Sequence, residues 1–208
     1  MLQTSAVEPG TLELLRQLQA IPELEKFFLV EGTALALRFG HRVSVDLDLF
    51  STEKFENHYI INVLKRNFVQ FEYRSESENV GIFCFINEIK VDFIQHYQYK
   101  LIDIVFSDSG VKMFGLKDIA AMKINAILKR AVKKDFFDLN ELLNLFSMAE
   151  LIEFYFQKYP DQMLPISIPY ALSYFDEAEQ SENPVSLNKI TWEMVKKNIQ
   201  KKVREYLK

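Results

Sequence analysis

Asp46 and Asp48 stand two residues apart in the run Val45-Asp46-Leu47-Asp48-Leu49. In an extended strand such residues point to the same face, so both carboxylates project together while Val45, Leu47 and Leu49 turn toward a core. Two adjacent like charges are unfavourable unless a cation lies between them. Mg²⁺ suits that place, because it prefers oxygen ligands and is commonly held by one or two carboxylates plus substrate phosphates. The plain alternative is a solvent-facing strand edge with two hydrated aspartates. Asp92 adds a third acid inside the apolar run Ile89-Lys90-Val91-Asp92-Phe93-Ile94, where a lone carboxylate is out of place. On a neighbouring strand it would complete a site for two metal ions, one activating a hydroxyl and one stabilising a leaving pyrophosphate. Its other options are to end the strand or to pair with Lys90.

Further candidates lie outside these strands. Gly32-Thr33 falls between a strand-like run and a helical one, where free backbone N–H groups favour an anion. Thr33 alone also reads as a helix N-cap. In the helical stretch 116–131, Leu116, Ile119, Ala120, Ile124, Ile127 and Ala131 form the apolar stripe. Lys123 sits mid-stripe, and Arg130 follows along the same line. Such a lysine either snorkels to solvent or meets an anion in a cleft, for which a triphosphate is suitable. Asp135 and Asp138 either cap the next helix or orient Lys123 and Arg130 and assist proton transfer. The last helix carries Lys196, Lys197, Lys201, Lys202, Arg204 and Lys208, a solvated face or a contact for an RNA backbone.

The elements that must position these groups follow from periodicity. Residues 11–20 read as a helix ended near Pro22, 27–30 as a buried strand, 34–39 as a helix and 45–50 as a strand. A helix over 56–67 precedes three strands at 68–74, 80–87 and 89–95, the last two close enough for a hairpin through Asn87-Glu88. From Leu116 onward the pattern is helical: 116–131, 136–146, 148–158, 166–179 and 191–207. Four of the six prolines fall between 159 and 190, so helices there should be short. The expectation is an α+β chain with a mixed α/β half over 1–110 and a helical half over 111–208.

Composition narrows the class. A chain of 208 residues, 49% hydrophobic, can build a sizeable core. Cys84 is the only cysteine, which excludes an internal disulfide and a Cys-rich zinc site and suits a reducing compartment. The three histidines lack metal-ligand spacing. No signal peptide is visible, and nothing approaches the roughly 18 consecutive apolar residues of a membrane span, so a cytoplasmic protein is expected. The net charge of −4 argues against a whole-surface nucleic-acid binder but leaves room for a local basic patch.

Together these residues resemble the AbiEii/AbiGii-type nucleotidyltransferases, toxin components of bacterial abortive-infection and toxin–antitoxin systems within the DNA polymerase β-like superfamily. The most specific segment is LVEGTALALRFGHRVSVDLDLF, residues 29–50. There Gly32-Thr33 corresponds to the phosphate-binding turn, and Arg42, Ser44, Asp46 and Asp48 match the pattern Arg-x-Ser-x-Asp-x-Asp. VDF at 91–93 matches the strand of the third acid, and DIAAMKINAILKRAVKKDFFDL at 118–139 places Lys123, Arg130, Asp135 and Asp138 in register. ALSYFDEAE at 171–179 and Trp192 with Lys196 also fit.

The resemblance implies a polymerase β-like core with a mixed sheet flanked by helices, a C-terminal helical subdomain and an NTP bound between them. It further implies two Mg²⁺ ions on Asp46, Asp48 and Asp92, and phosphates held by Gly32, Thr33, Arg42, Ser44, Lys123 and Arg130. A tRNA acceptor and a winged-helix antitoxin are the partners it suggests, with no membrane. The family usually has two glycines where this chain has Glu31-Gly32. A glutamate at the first position either crowds the phosphates or lies just below the turn. A catalytically degenerate member serving as a partner-binding module is the second reading.

Overall fold

In the computed structural model, which describes residues 1–208, the strand-like runs pair into one mixed sheet. Its strands are β1 (Phe27–Leu29), β2 (Leu47–Ser51), β3 (Phe71–Ser77), β4 (Gly81–Ile86), β5 (Ile89–Gln95), β6 (Phe106–Asp108) and β7 (Val111–Met113), in the order β3-β4-β5-β2-β1-β7-β6. β2 runs antiparallel to β1 and parallel to β5. The β4–β5 hairpin turns on Asn87 and Glu88, with φ of 51° and 66°. Two consecutive positive φ values are the mark of a type I′ turn, whose twist suits a two-residue hairpin.

The helices are α1 (Pro9–Ala20), α2 (Glu31–Phe39), α3 (Asn57–Asn67), α4 (Leu116–Lys129), α5 (Lys133–Leu145), α6 (Met148–Lys158), α7 (Ile168–Ser173), α8 (Asp176–Glu179) and α9 (Trp192–Tyr206). The proline-rich stretch indeed yields only the two short helices α7 and α8. A single apolar core joins the sheet to the helices, from Leu2 through Leu49 and Ile124 to Val203. The chain is thus α+β, as its pattern predicts. No helix is long and apolar enough to cross a membrane.

Several local expectations need correction. The β6–β7 hairpin is unforeseen, since three-residue strands are too short to show alternation. The composition break near residue 110 falls in its turn, so β7 lies in the sheet beside β1 and the helical half proper starts at Leu116. Val45 is exposed rather than in the core, because regular β2 pairing begins only at Leu47. α4 ends at Lys129, and Arg130 turns into extended backbone, so it does not continue the stripe of Lys123.

The segment before β2 is held from both sides. Ser44 N–H donates to the Ala6 carbonyl at 2.9 Å and Val43 N–H to the Val185 carbonyl at 2.9 Å. Thr11 Oγ1 adds a bond to the Val45 carbonyl. The N-terminal segment and the loop around Val185, far apart in the chain, therefore fix the approach to Asp46.

Candidate active site

Asp48 and Asp92 sit directly opposite each other on the adjacent parallel strands β2 and β5. In-register neighbours in a sheet share a face, so the two carboxylates project side by side. Asp92 is buried, and its Oδ1 has no hydrogen-bond partner, while its Oδ2 takes a 2.6 Å contact from Lys90 Nζ. Lys90, two residues earlier on the same face, is the cation nearest the pair. Burial opposes its charge, but the bond to Asp92 and the charges of Asp48 and Asp46 raise its pKa. Asp46 leans outward toward Lys134 at 3.6 Å.

The balance of charge on this face is acidic. Burial, then the charge of Glu31, then those of Asp92 and Asp46, push the Asp48 carboxyl up to about 7, with only Lys90 opposing. As they stand, no three acidic or histidine side chains converge on one point. The donor set nonetheless fits a hard cation: two aligned carboxylates, one orphaned buried oxygen, a third acid two residues before Asp48, and a lysine already acting as a stand-in charge. A cleft of about 450 Å³ opens beside Asp46, bounded by residues 42–46, Lys134 and the loop 181–185.

The other candidate residues form a second, buried cluster. Asp138 is fully buried on α5 and accepts both Nε and Nη2 of Arg42, at 2.7 and 2.9 Å. His41 Nε2 is 2.8 Å from its Oδ1, and Lys123 Nζ is 3.1 Å from its Oδ2. Burial would raise the Asp138 carboxyl, yet Arg42 and Lys123 hold it well below the usual carboxylate range. Burial likewise opposes Arg42, and Asp138 more than offsets it, so its pKa is raised.

Lys123 is therefore neither snorkelling nor empty-handed. It is buried, 2.8 Å from Asp135, and also 2.9 Å from Glu31 Oε2. Burial disfavours its charge, and Glu31, Asp138 and Asp135 together reverse that and raise its pKa. Asp135 and Asp138 do not cap α5, whose N-cap is Val132 without a side-chain bond. Arg130 is mostly exposed and reaches only 3.7 Å from Asp135.

The turn residues also have definite work. A Cβ on Gly32 would fall onto Arg42 Nη2, so glycine lets the guanidinium pass against the start of α2. Thr33 is not the N-cap, which is Val30. Its hydroxyl donates to the Asp46 carbonyl and shares a 2.8 Å bond with Ser44 Oγ, which locks α2 to the strand bearing the acids. Glu31, Lys90, Lys134 and His41 complete the two clusters. Of these, only Lys90 carried a spacing signal, its i, i+2 relation to Asp92.

The basic face of α9 is partly neutralised. Lys196 contacts Glu179 and Glu193, and Lys201 contacts Glu205. Lys197, Lys202, Arg204 and Lys208 carry no ion pair.

Two solved structures share the fold of this mixed sheet closed by a helical half. MenT4, a nucleotidyltransferase toxin from Mycobacterium tuberculosis H37Rv, superposes with a TM-score of 0.59 at 13% identity over 93% of this chain and 81% of that one. An H. pylori structure described as a nucleotidyltransferase gives 0.56 at 15% identity over 97% and 99%. The model of the family described as "Nucleotidyl transferase AbiEii toxin, Type IV TA system" matches residues 13–207, and the chain belongs to that family. A relative 32% identical over 200 residues, an uncharacterized protein of Aquifex aeolicus (strain VF5), covers 94% of this chain and 95% of its own length. The class activity is NTP-dependent nucleotidyl transfer, and membership of a toxin family implies a cognate antitoxin.

Proposed function

We propose that this chain is a Mg²⁺-dependent nucleotidyltransferase toxin that modifies an RNA acceptor, with tRNA the favoured substrate, in the bacterial cytoplasm. The observation that carries the reading is the register of Asp48 with Asp92, which sets two carboxylates side by side, one of them with an orphaned buried oxygen. Asp46 and Asp48 would hold the metal ions, with Asp92 completing the nucleophile side. Bound there, Mg²⁺ would supply charge stabilisation for the attacking and leaving oxygens.

The remaining steps belong to the protein. Asp92 Oδ1 accepts the proton of the acceptor hydroxyl. That hydroxyl oxygen then bonds to the α-phosphorus as the bond to pyrophosphate breaks. Lys123 and the first turn of α2 neutralise the triphosphate, with Gly32, Thr33 and Ser44 shaping the cradle and Arg42 and Arg130 behind it. Asp135 and Asp138 orient Lys123. The cleft beside Asp46 has the size of a small-molecule site and takes the nucleoside. The unpaired lysines of α9 and Arg204 favour RNA over a neutral acceptor. The cognate antitoxin is proposed to be of the winged-helix type, with abortive infection as its biological setting.

The test is incubation of the full chain with each α-labelled NTP, Mg²⁺ and total tRNA. Wild type should label the RNA, and Asp46→Asn should lose at least about a hundredfold, the upper end of what loss of an outer partner costs a metal site. Equal labelling by the variant would sink the assignment. No labelling by either would leave the partner-binding reading.

A further inference from the structure

Glu31 is the odd member of the buried cluster. It opens α2 with φ of 58°, a left-handed conformation that glycine adopts freely and that a side chain occupies only at a cost. Non-glycine strain of this kind is kept where the surroundings enforce it, and it clusters at functional sites. Its carboxylate is largely buried, with Oε2 2.9 Å from Lys123 Nζ. That oxygen has no aligned hydrogen bond, so the contact is one of charge alone. Asp135, by contrast, takes a true hydrogen bond from Lys123 at 2.8 Å.

Charge counting marks Glu31 as the surplus anion. Arg42 and Lys123 are matched by Asp138 and Asp135, whose side chains are 0% and 1% exposed. Glu31 brings a third negative charge to two buried cations. It lies where an anion is welcome, between an ammonium and the uncapped first turn of a helix, and it is the group most loosely held there. Rotation about its side-chain bonds would vacate the position without moving α2.

We infer that Glu31 is a built-in anion occupying the polyphosphate subsite, and that an incoming NTP must displace it from Lys123. Glu31 then sets the affinity of the site for its nucleotide rather than taking part in the chemistry. This rests on the NTP-binding reading given above.

Equilibrium binding by calorimetry, with Mg²⁺ and either each NTP or inorganic tripolyphosphate, tests it on wild type, Glu31→Gln, Glu31→Gly and Asp161→Asn. Asp161 is an exposed acid in the turn after α6, outside both charged clusters and the cleft beside Asp46, so it controls for a general change of charge. Glu31→Gln should lower Kd by about tenfold for both ligands, the effect of removing one modest competing contact. Glu31→Gly should do at least as well and should melt no lower than wild type, since it also relieves the backbone. Asp161→Asn should stay near wild type. Binding by wild type that Glu31→Gln leaves unchanged or weakens overturns the inference alone, as does an equal gain in Asp161→Asn. If folded wild type and Glu31→Gln both bind no NTP, the nucleotide reading itself fails and the inference with it.

Discussion

The two charged clusters lie close together, yet they are built on opposite principles. Around α4 and α5, Lys123, Asp135 and Asp138 meet His41 and Arg42 from the segment after α2, all buried and mutually bonded, with each Asp138 oxygen shared between partners. On the sheet, Asp46, Asp48 and Asp92 have one close cation, Lys90, and one distant one, Lys134. Buried ionic groups are tolerated when their charges are answered, and both buried cations of this cluster have carboxylate partners, although Asp135 Oδ2 and Glu31 Oε2 lack a hydrogen bond. The sheet cluster has more acids than nearby cations, and Asp46 of it lines a cleft. Saturated charge holds the α2–α4–α5 junction in place; unsaturated charge leaves room for a ligand.

Breaking the saturated side should cost the most. Asp138→Asn leaves Arg42 and Lys123 buried with an unanswered charge, and the expected loss is about 3–5 kcal/mol of stability, read by chemical denaturation. A loss below that of an ordinary surface substitution would show the cluster to be loose.

The unsaturated side should reveal itself through pH. Asp48 keeps its proton up to about 7 in the folded chain, against an ordinary value of 3.8. The folded state then binds more protons than the unfolded one between those values, so stability falls as pH rises from about 4 to about 7. In EDTA, wild type should lose on the order of 2 kcal/mol over this range relative to Asp48→Asn, with solvent screening at a half-buried position allowed for. Mg²⁺ should restore wild type at pH 8 and do little for the variant. Parallel pH profiles for the two proteins would contradict the assignment of Asp48.

Gly32→Ala should give the smallest effect, about 1 kcal/mol, the low end of what overpacking costs. The atom its Cβ meets is the end of the Arg42 side chain, which can shift only by lengthening its bonds to Asp138. A stability equal to wild type would show that the guanidinium has slack.

Much of this contrast is legible in the amino-acid sequence, though unevenly. Helices with strong periodicity, such as α6 and α9, fall where their stripes place them. The Asp-x-Asp spacing and the apolar setting of Asp92 single out the three acids as candidates, because those signals are local. The register of β2 with β5 joins residues 44 apart and depends on pairing that no local pattern encodes. Lys123 shows the same limit: its place mid-stripe demands an anion, but periodicity cannot tell whether that anion is a ligand or the chain's own Asp135, Asp138 and Glu31. Val45 misleads because alternation continues past the point where strand pairing stops. The β6–β7 hairpin is hidden because three residues carry too little period to count.

The most direct test of the contrast between the clusters is Mn²⁺ binding, followed by electron paramagnetic resonance in the presence of NTP. Wild type should bind Mn²⁺, Asp48→Asn and Asp92→Asn should each lose most of that binding while remaining folded, and Lys90→Met should not lose it. Equal Mn²⁺ binding by wild type and both aspartate variants would contradict a metal centre at this face.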